Sequence, residues 1–126
     1  MKRLWIALLT LLFLLALCAA GKAAVTARVD AMLALLDRTQ TAAAQGDLAD
    51  AAKAAKDAED YWLQNGVLLG SLLRHDEADG VSALLAELRA YAGTGDRDEL
   101  LAVCAAAMRQ LEHIREMESP LVQNVL

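Results

Sequence analysis

The chain has 126 residues, 57% of them apolar but only 4% aromatic, and a net charge of -5. That length suits one small domain. An acidic chain without a basic stripe is repelled by nucleic acid phosphate, so no nucleic-acid partner is expected. Ala and Leu dominate and both favour helix, β-branched residues are sparse, and the single Pro is Pro120. Nothing reads as a strand, and the expected fold class is all-α.

The first element is the run Leu4–Ala20, in which Thr10 is the only polar residue, preceded by Lys2 and Arg3 and followed by Gly21 and Lys22. Its 17 residues cover about 25 Å as a helix, close to a bilayer core of about 30 Å. Residues 1–21 are expected to be a signal anchor, with residues 4–20 in the lipid bilayer and residues 22–126 outside. Lys2, Arg3 and the amino terminus then stay in the cytoplasm under the positive-inside rule. This is a single-pass cell-membrane topology. Two alternatives compete. Cys18-Ala19-Ala20 offers a small-residue cleavage site, which would give a secreted bundle. Leu17 before Cys18 disfavours lipidation, since a small side chain is normal there.

Four helices follow. In the first, Val25, Val29, Met32 and Leu36 recur at steps of four, three and four, one helical stripe. Gly46-Asp47 supplies a stop and an N-cap. The second carries Leu48, Ala51, Ala55, Ala58 and Trp62 on a narrow, Ala-lined seam that ends at Asn65-Gly66. The third is expected to run from Val67 to Tyr91, with Leu73, Glu77, Val81, Leu84, Leu88 and Tyr91 on one face. Gly93-Thr94-Gly95-Asp96 is the next stop and cap. The fourth presents Leu100, Val103 or Cys104, Ala107, Leu111 and Ile114, and Pro120 stops it. Short connections imply antiparallel neighbours, hence an up-down-up-down four-helix bundle. The two Gly-Asp pairs, 49 residues apart, suggest two related hairpins.

The stretch "NGVLLGSLLRHDEADG" opens the third helix. Read as one continuous helix, it places Leu68, Leu72 and His75 opposite the core face. That start would be apolar on two sides and in need of cover. Eight residues from Gly66 to Leu73 are too few for a second span, so the stretch is expected to form the membrane-proximal base of the bundle. Two covers are open. Val122, Val125 and Leu126 of the tail fold over Leu68 and Leu72, or the patch docks another membrane protein.

The polar half invites a chemical reading and does not sustain it. A di-iron bundle wants Glu-x-x-His pairs. The residue three before His75 is Leu72, and three before His113 it is Gln110. Solvated or hydrogen-bonded histidines are expected, with no metal site and no cofactor. Glu77 is expected to be half-buried, with Arg74 one turn away as its partner. Ser71, Ser82 and Ser119 lie in no nucleophile elbow, and no Gly-rich phosphate loop precedes a helix. The chain is not expected to be an enzyme. Cys104, the only cysteine of the body, reads as a small core residue, and a bridge to Cys18 is not plausible.

The segments "MKRLWIALL", the two "GD" openings, Trp62, "LLRHDEAD", "LEHIREME" and the closing "QNVL" together resemble a small bacterial family, known from Firmicutes, built on domain of unknown function 4363. In that family the corresponding stretches look like Arg-His-Ser-Glu-Leu-Asp and a closing Asn-Ile-Leu. Arg74, His75, Glu77 and Asp79 match, as do Asn124 and Leu126. Asp76, Ala78 and Val125 depart from the pattern. The resemblance implies an N-terminal membrane anchor and a helical extracytoplasmic domain, and supplies no activity. It adds weight to Arg74, His75, Glu77 and Asn124 as interaction positions beside Leu68 and Leu72. Two functions are expected: an accessory or interaction module for a membrane or cell-envelope partner, or a ligand-sensing bundle that works with a partner chain.

Overall fold

The computed structural model describes residues 1–118, which form five helices and no strand. Helix α1 spans Lys2–Ala44, α2 Leu48–Gln64, α3 Gly66–Leu72, α4 His75–Thr94 and α5 Arg97–Glu118. Pro120, Val122, Asn124, Val125 and Leu126, each singled out from the sequence, lie outside the described residues.

Four of the helices close a bundle. Helix α1 packs on α2 and α5, and α4 packs on the same two, which puts α1 and α4 on one diagonal. Every neighbouring pair is antiparallel, as the cross-links between helices require. Arg28 near the start of the packed part of α1 meets Asn65 at the end of α2, and Arg97 at the start of α5 meets the end of α1. Trp62 reaches Ser82, whereas the earlier Glu59 reaches the later Arg89. This is the up-down-up-down bundle that short connections imply.

The core is where the apolar spacing puts it. Val25, Val29, Met32 and Leu36 of α1 are buried, and so are Leu100, Val103, Cys104, Ala107, Leu111 and Ile114 of α5. Ala51, Ala54, Ala55 and Ala58 of α2 are fully covered, so α2 sits closely against α1 and α4. Thr39 is the one buried polar residue among those described. Its hydroxyl donates to the Leu35 carbonyl at 2.9 Å, within its own helix, so it demands no partner from the core.

The turns at the far end follow from backbone chemistry. Gly46 takes φ +81° after α1, and the amides of Gly46 and Asp47 bond back to the carbonyls of Ala43 and Ala42. That is a Schellman ending, which glycine adopts without steric cost. Asp47 then caps α2 by accepting the Asp50 amide, and Asp96 caps α5 through the Glu99 amide. The Arg97 guanidinium forks onto the carbonyls of Ala43 and Ala44, both at 2.9 Å, and so satisfies the orphan acceptors of α1.

One expectation is corrected. The third helix is not continuous from Val67 to Tyr91, because Leu73 and Arg74 are extended, with ψ 159° and 143°. No Gly or Pro marks the break. Its physical signal is the acidic pair Asp76 and Glu77, which stands in the first turn of α4, where the helix dipole favours negative charge. The break also frees α4 to aim Val81, Leu85 and Leu88 into the core, flanked by Ala78 and Ala92. Leu84 and Tyr91, expected on that face, are only half-buried at its rim.

Candidate functional site

Helix α1 is a single 43-residue element with two environments. From Gly21 onward it alternates buried and exposed positions, as a bundle helix does. Before Gly21 every side chain is exposed, including eleven large apolar ones from Leu4 to Leu17. Keeping such side chains in water forgoes about 1.5–3 kcal/mol each. The sum is at least as large as the whole stability of a domain, about 5–15 kcal/mol. This stretch is the one candidate membrane span among the described residues. The helix runs on into the bundle without interruption through Gly21, at the junction.

Helix α3 meets α1 at that junction. A Cβ placed on Gly21 would lie 3.8 Å from Leu72 Cδ2. An open cleft of about 330 Å³ is lined by Leu17, Cys18, Gly21, Lys22 and Val25 of α1, with Leu72 and Glu118. The stretch lies at the end of the bundle that adjoins the apolar run. The expected two-sided helix does not form. Leu69, rather than Leu68 or Leu72, anchors α3 in the core, while Leu68 is half-buried and Leu72 exposed. A seven-residue helix that touches α1, α2 and α4 needs only one inward side chain to be held.

The polar residues next to α3 divide between two sites. Arg74 folds back on Asp76 at 2.9 Å, with both side chains mostly in water, and does not reach Glu77. The expected Arg74–Glu77 pair is absent because the chain is extended at Arg74, so the two are not one helical turn apart. Glu77 instead turns into the α4–α5 interface, where its side chain is 14% exposed. There it accepts from Gln110 Nε2, and His113 Nε2 lies 4.0 Å from its other oxygen. Gln110 Nε2 passes beside Gly80, 3.8 Å from where a Cβ would stand, an ordinary contact distance.

His75 and Asp79 stand on the opposite flank of α4. With Trp62, Leu69, Gly70 and Ser82 they line a groove of about 220 Å³ between α2, α3 and α4. Trp62 Nε1 donates to Ser82 Oγ at 2.8 Å, and that hydroxyl donates to the Ala78 carbonyl at 3.0 Å. The two histidines are thus on different sides of α4. Among the described residues no three of His, Cys, Asp and Glu converge at metal-binding distance. Cys104 is buried, with its thiol donating to the Leu36 carbonyl at 3.2 Å, and Cys18 is exposed on the apolar run. Sequence reasoning missed Gln110, Ser82 and Arg97. Each partners a group more than 19 residues away, beyond the reach of local spacing.

A four-helix bundle continued at one end by an apolar helix is the class of protein that these features define. The chain belongs to the family described as domain of unknown function (DUF4363), whose model matches residues 20–125. The match begins at Ala20, where the fully exposed run of α1 ends. No curated protein and no solved structure matches the chain.

Proposed function

We propose that the protein is a single-pass membrane protein whose bundle serves another membrane or cell-envelope protein as a non-catalytic accessory module. The observation that carries this reading is the unbroken passage of α1 from an all-exposed apolar run into the packed bundle. Residues 4–20 lie in the bilayer, Lys2 and Arg3 remain on the cytoplasmic side, and the acidic bundle stands outside. The base and the Arg74–Asp79 rim are the surfaces nearest to a partner in the same membrane.

The test is purification of the full chain from its native membrane in mild detergent, with intact mass on the eluate. An unprocessed mass and a stoichiometric partner are the expected result. A mass trimmed after Ala20, with the protein alone in the soluble fraction, sinks both the anchor and the accessory role.

A second reading is a ligand-sensing bundle that signals through a partner chain. The groove beside Trp62, with His75, Asp79 and Ser82 on its wall, favours it. It predicts that some small polar metabolite raises the melting temperature of the wild type and not of His75→Ala. No shift across a broad metabolite panel removes it.

A further inference from the structure

We propose that α3 is an interfacial element, seated in the headgroup–acyl boundary of the bilayer that holds residues 4–20, so that the bundle rests on the membrane instead of standing clear of it. This rests on the anchor reading above and adds a second contact with lipid.

Three observations carry it. The first is where apolar surface remains. After the apolar run, the described residues expose four large apolar side chains: Leu63 67%, Val67 91%, Leu72 41% and Met117 48%. Leu63 and Met117 lie near the ends of α2 and α5, and Val67 and Leu72 lie in α3. All are at the end of the bundle that adjoins the run. The far end, with its Gly46 and Gly95 turns, exposes none. A random scatter of surface apolar residues would need no explanation, but a one-ended set does.

The second is the chemistry of α3. Its sequence, GVLLGSL, has no charge. Its one polar side chain, Ser71, is four residues from Val67 on the same outward face. The Ser71 hydroxyl donates to the Leu68 carbonyl at 2.8 Å, so it asks nothing of its surroundings. Val67 and Ser71 therefore form a face that can enter an apolar boundary without stripping water from a charge.

The third is continuity. Leu72 lies against Gly21, the first residue after the run, and shares a cleft with Leu17 and Cys18. Apolar side chains of the run and of α3 thus meet in one cleft, with Lys22 and Glu118 at its margin. Lys22 stands at the same level, with a stem long enough to carry its ammonium to the headgroups. Interfacial elements of this type sink their apolar face about 5–10 Å into the boundary.

The experiment uses the full chain carrying Cys18→Ala, reconstituted in vesicles of phosphatidylcholine and phosphatidylglycerol. A nitroxide is attached at V67C, at L11C within the run, or at A49C on an exposed position far from the base. Collisions with oxygen, which concentrates in lipid, are compared with those of a water-soluble nickel chelate. V67C replaces an exposed side chain, and unchanged helicity checks the fold. The expected result is oxygen-dominated relaxation at L11C and V67C and chelate-dominated relaxation at A49C. Chelate-dominated relaxation at V67C with L11C still in lipid overturns the proposal and leaves the anchor standing. Shielding of V67C from both reagents also overturns it, because protein then covers α3. Chelate access at L11C overturns the anchor itself.

Discussion

At the scale of single residues, Cys104 and Glu77 show how burial sets chemistry. Desolvation, with the nearby Asp37 carboxylate adding to it, pushes the Cys104 thiol up to about 11. The neutral thiol is the form that the core tolerates. Its contribution is fully present below the ordinary value of 9.0 and is lost as pH rises through about 11. Two units correspond to at most about 2–3 kcal/mol. Denaturant unfolding of the full chain in detergent should therefore show the wild type losing more stability than Cys104→Ala between those two pH values. Parallel losses would mean that the thiol is not desolvated. For Glu77, a double-mutant cycle with Gln110 should give a coupling of about 1 kcal/mol, and a cycle with Arg74 roughly none. The half-buried state of Glu77 was legible from its place on an apolar face. Its partner was not, because Gln110 is brought to it by the α4–α5 packing, 33 residues away in sequence.

Among the elements, α2, α5 and the packed part of α1 were readable because each carries one stripe at three- and four-residue steps, with Gly46 ending α1 and Asp47 and Asp96 capping α2 and α5. The α3–α4 break was not, since Leu73 and Arg74 have no intrinsic reason to leave a helix. The competing signal, two acidic residues suited to a first turn, is weak beside the apolar run before it. Tertiary contacts decide the matter. Leu69 is held in the core while Val81, Leu85 and Leu88 take a different line. The alanine seam of α2 gives a sharper test of packing. Ala55 is fully enclosed, so Ala55→Leu should cost about 1–3 kcal/mol through overpacking. Ala86→Leu, on the exposed side of α4, should stay within about 0.5 kcal/mol. Thermal unfolding of the two variants separates them, and equal losses would show that α2 is not closely packed.

For the molecule as a whole, the sequence divides at Gly21 but the backbone does not. Composition alone separated an apolar run from an amphipathic body, and it could not say whether the join was a hinge. The helix through Gly21 answers that, and the buried register beginning at Val25 fixes which side of α1 faces the bundle. Replacing Gly21 by Pro should break this join, since Pro removes an internal hydrogen bond and kinks a helix. The bundle core, built from residues after Val25, should keep its melting temperature within a few degrees. The angle between run and bundle should become broadly distributed, as read by distances between spin labels at L11C and A49C. An unchanged narrow distribution would mean that α3 alone fixes the angle.

A continuous helix transmits azimuth as well as position. Each residue added after Ala20 would turn the bundle about 100° around the axis of the run and raise it about 1.5 Å. Seven added residues would bring the original flank back to within about 20° and lift it about 10 Å. The length of α1 ahead of the bundle therefore acts as a compass bearing. Whatever approaches along the plane of the run meets one chosen flank of the four, and a one-residue insertion is enough to present another.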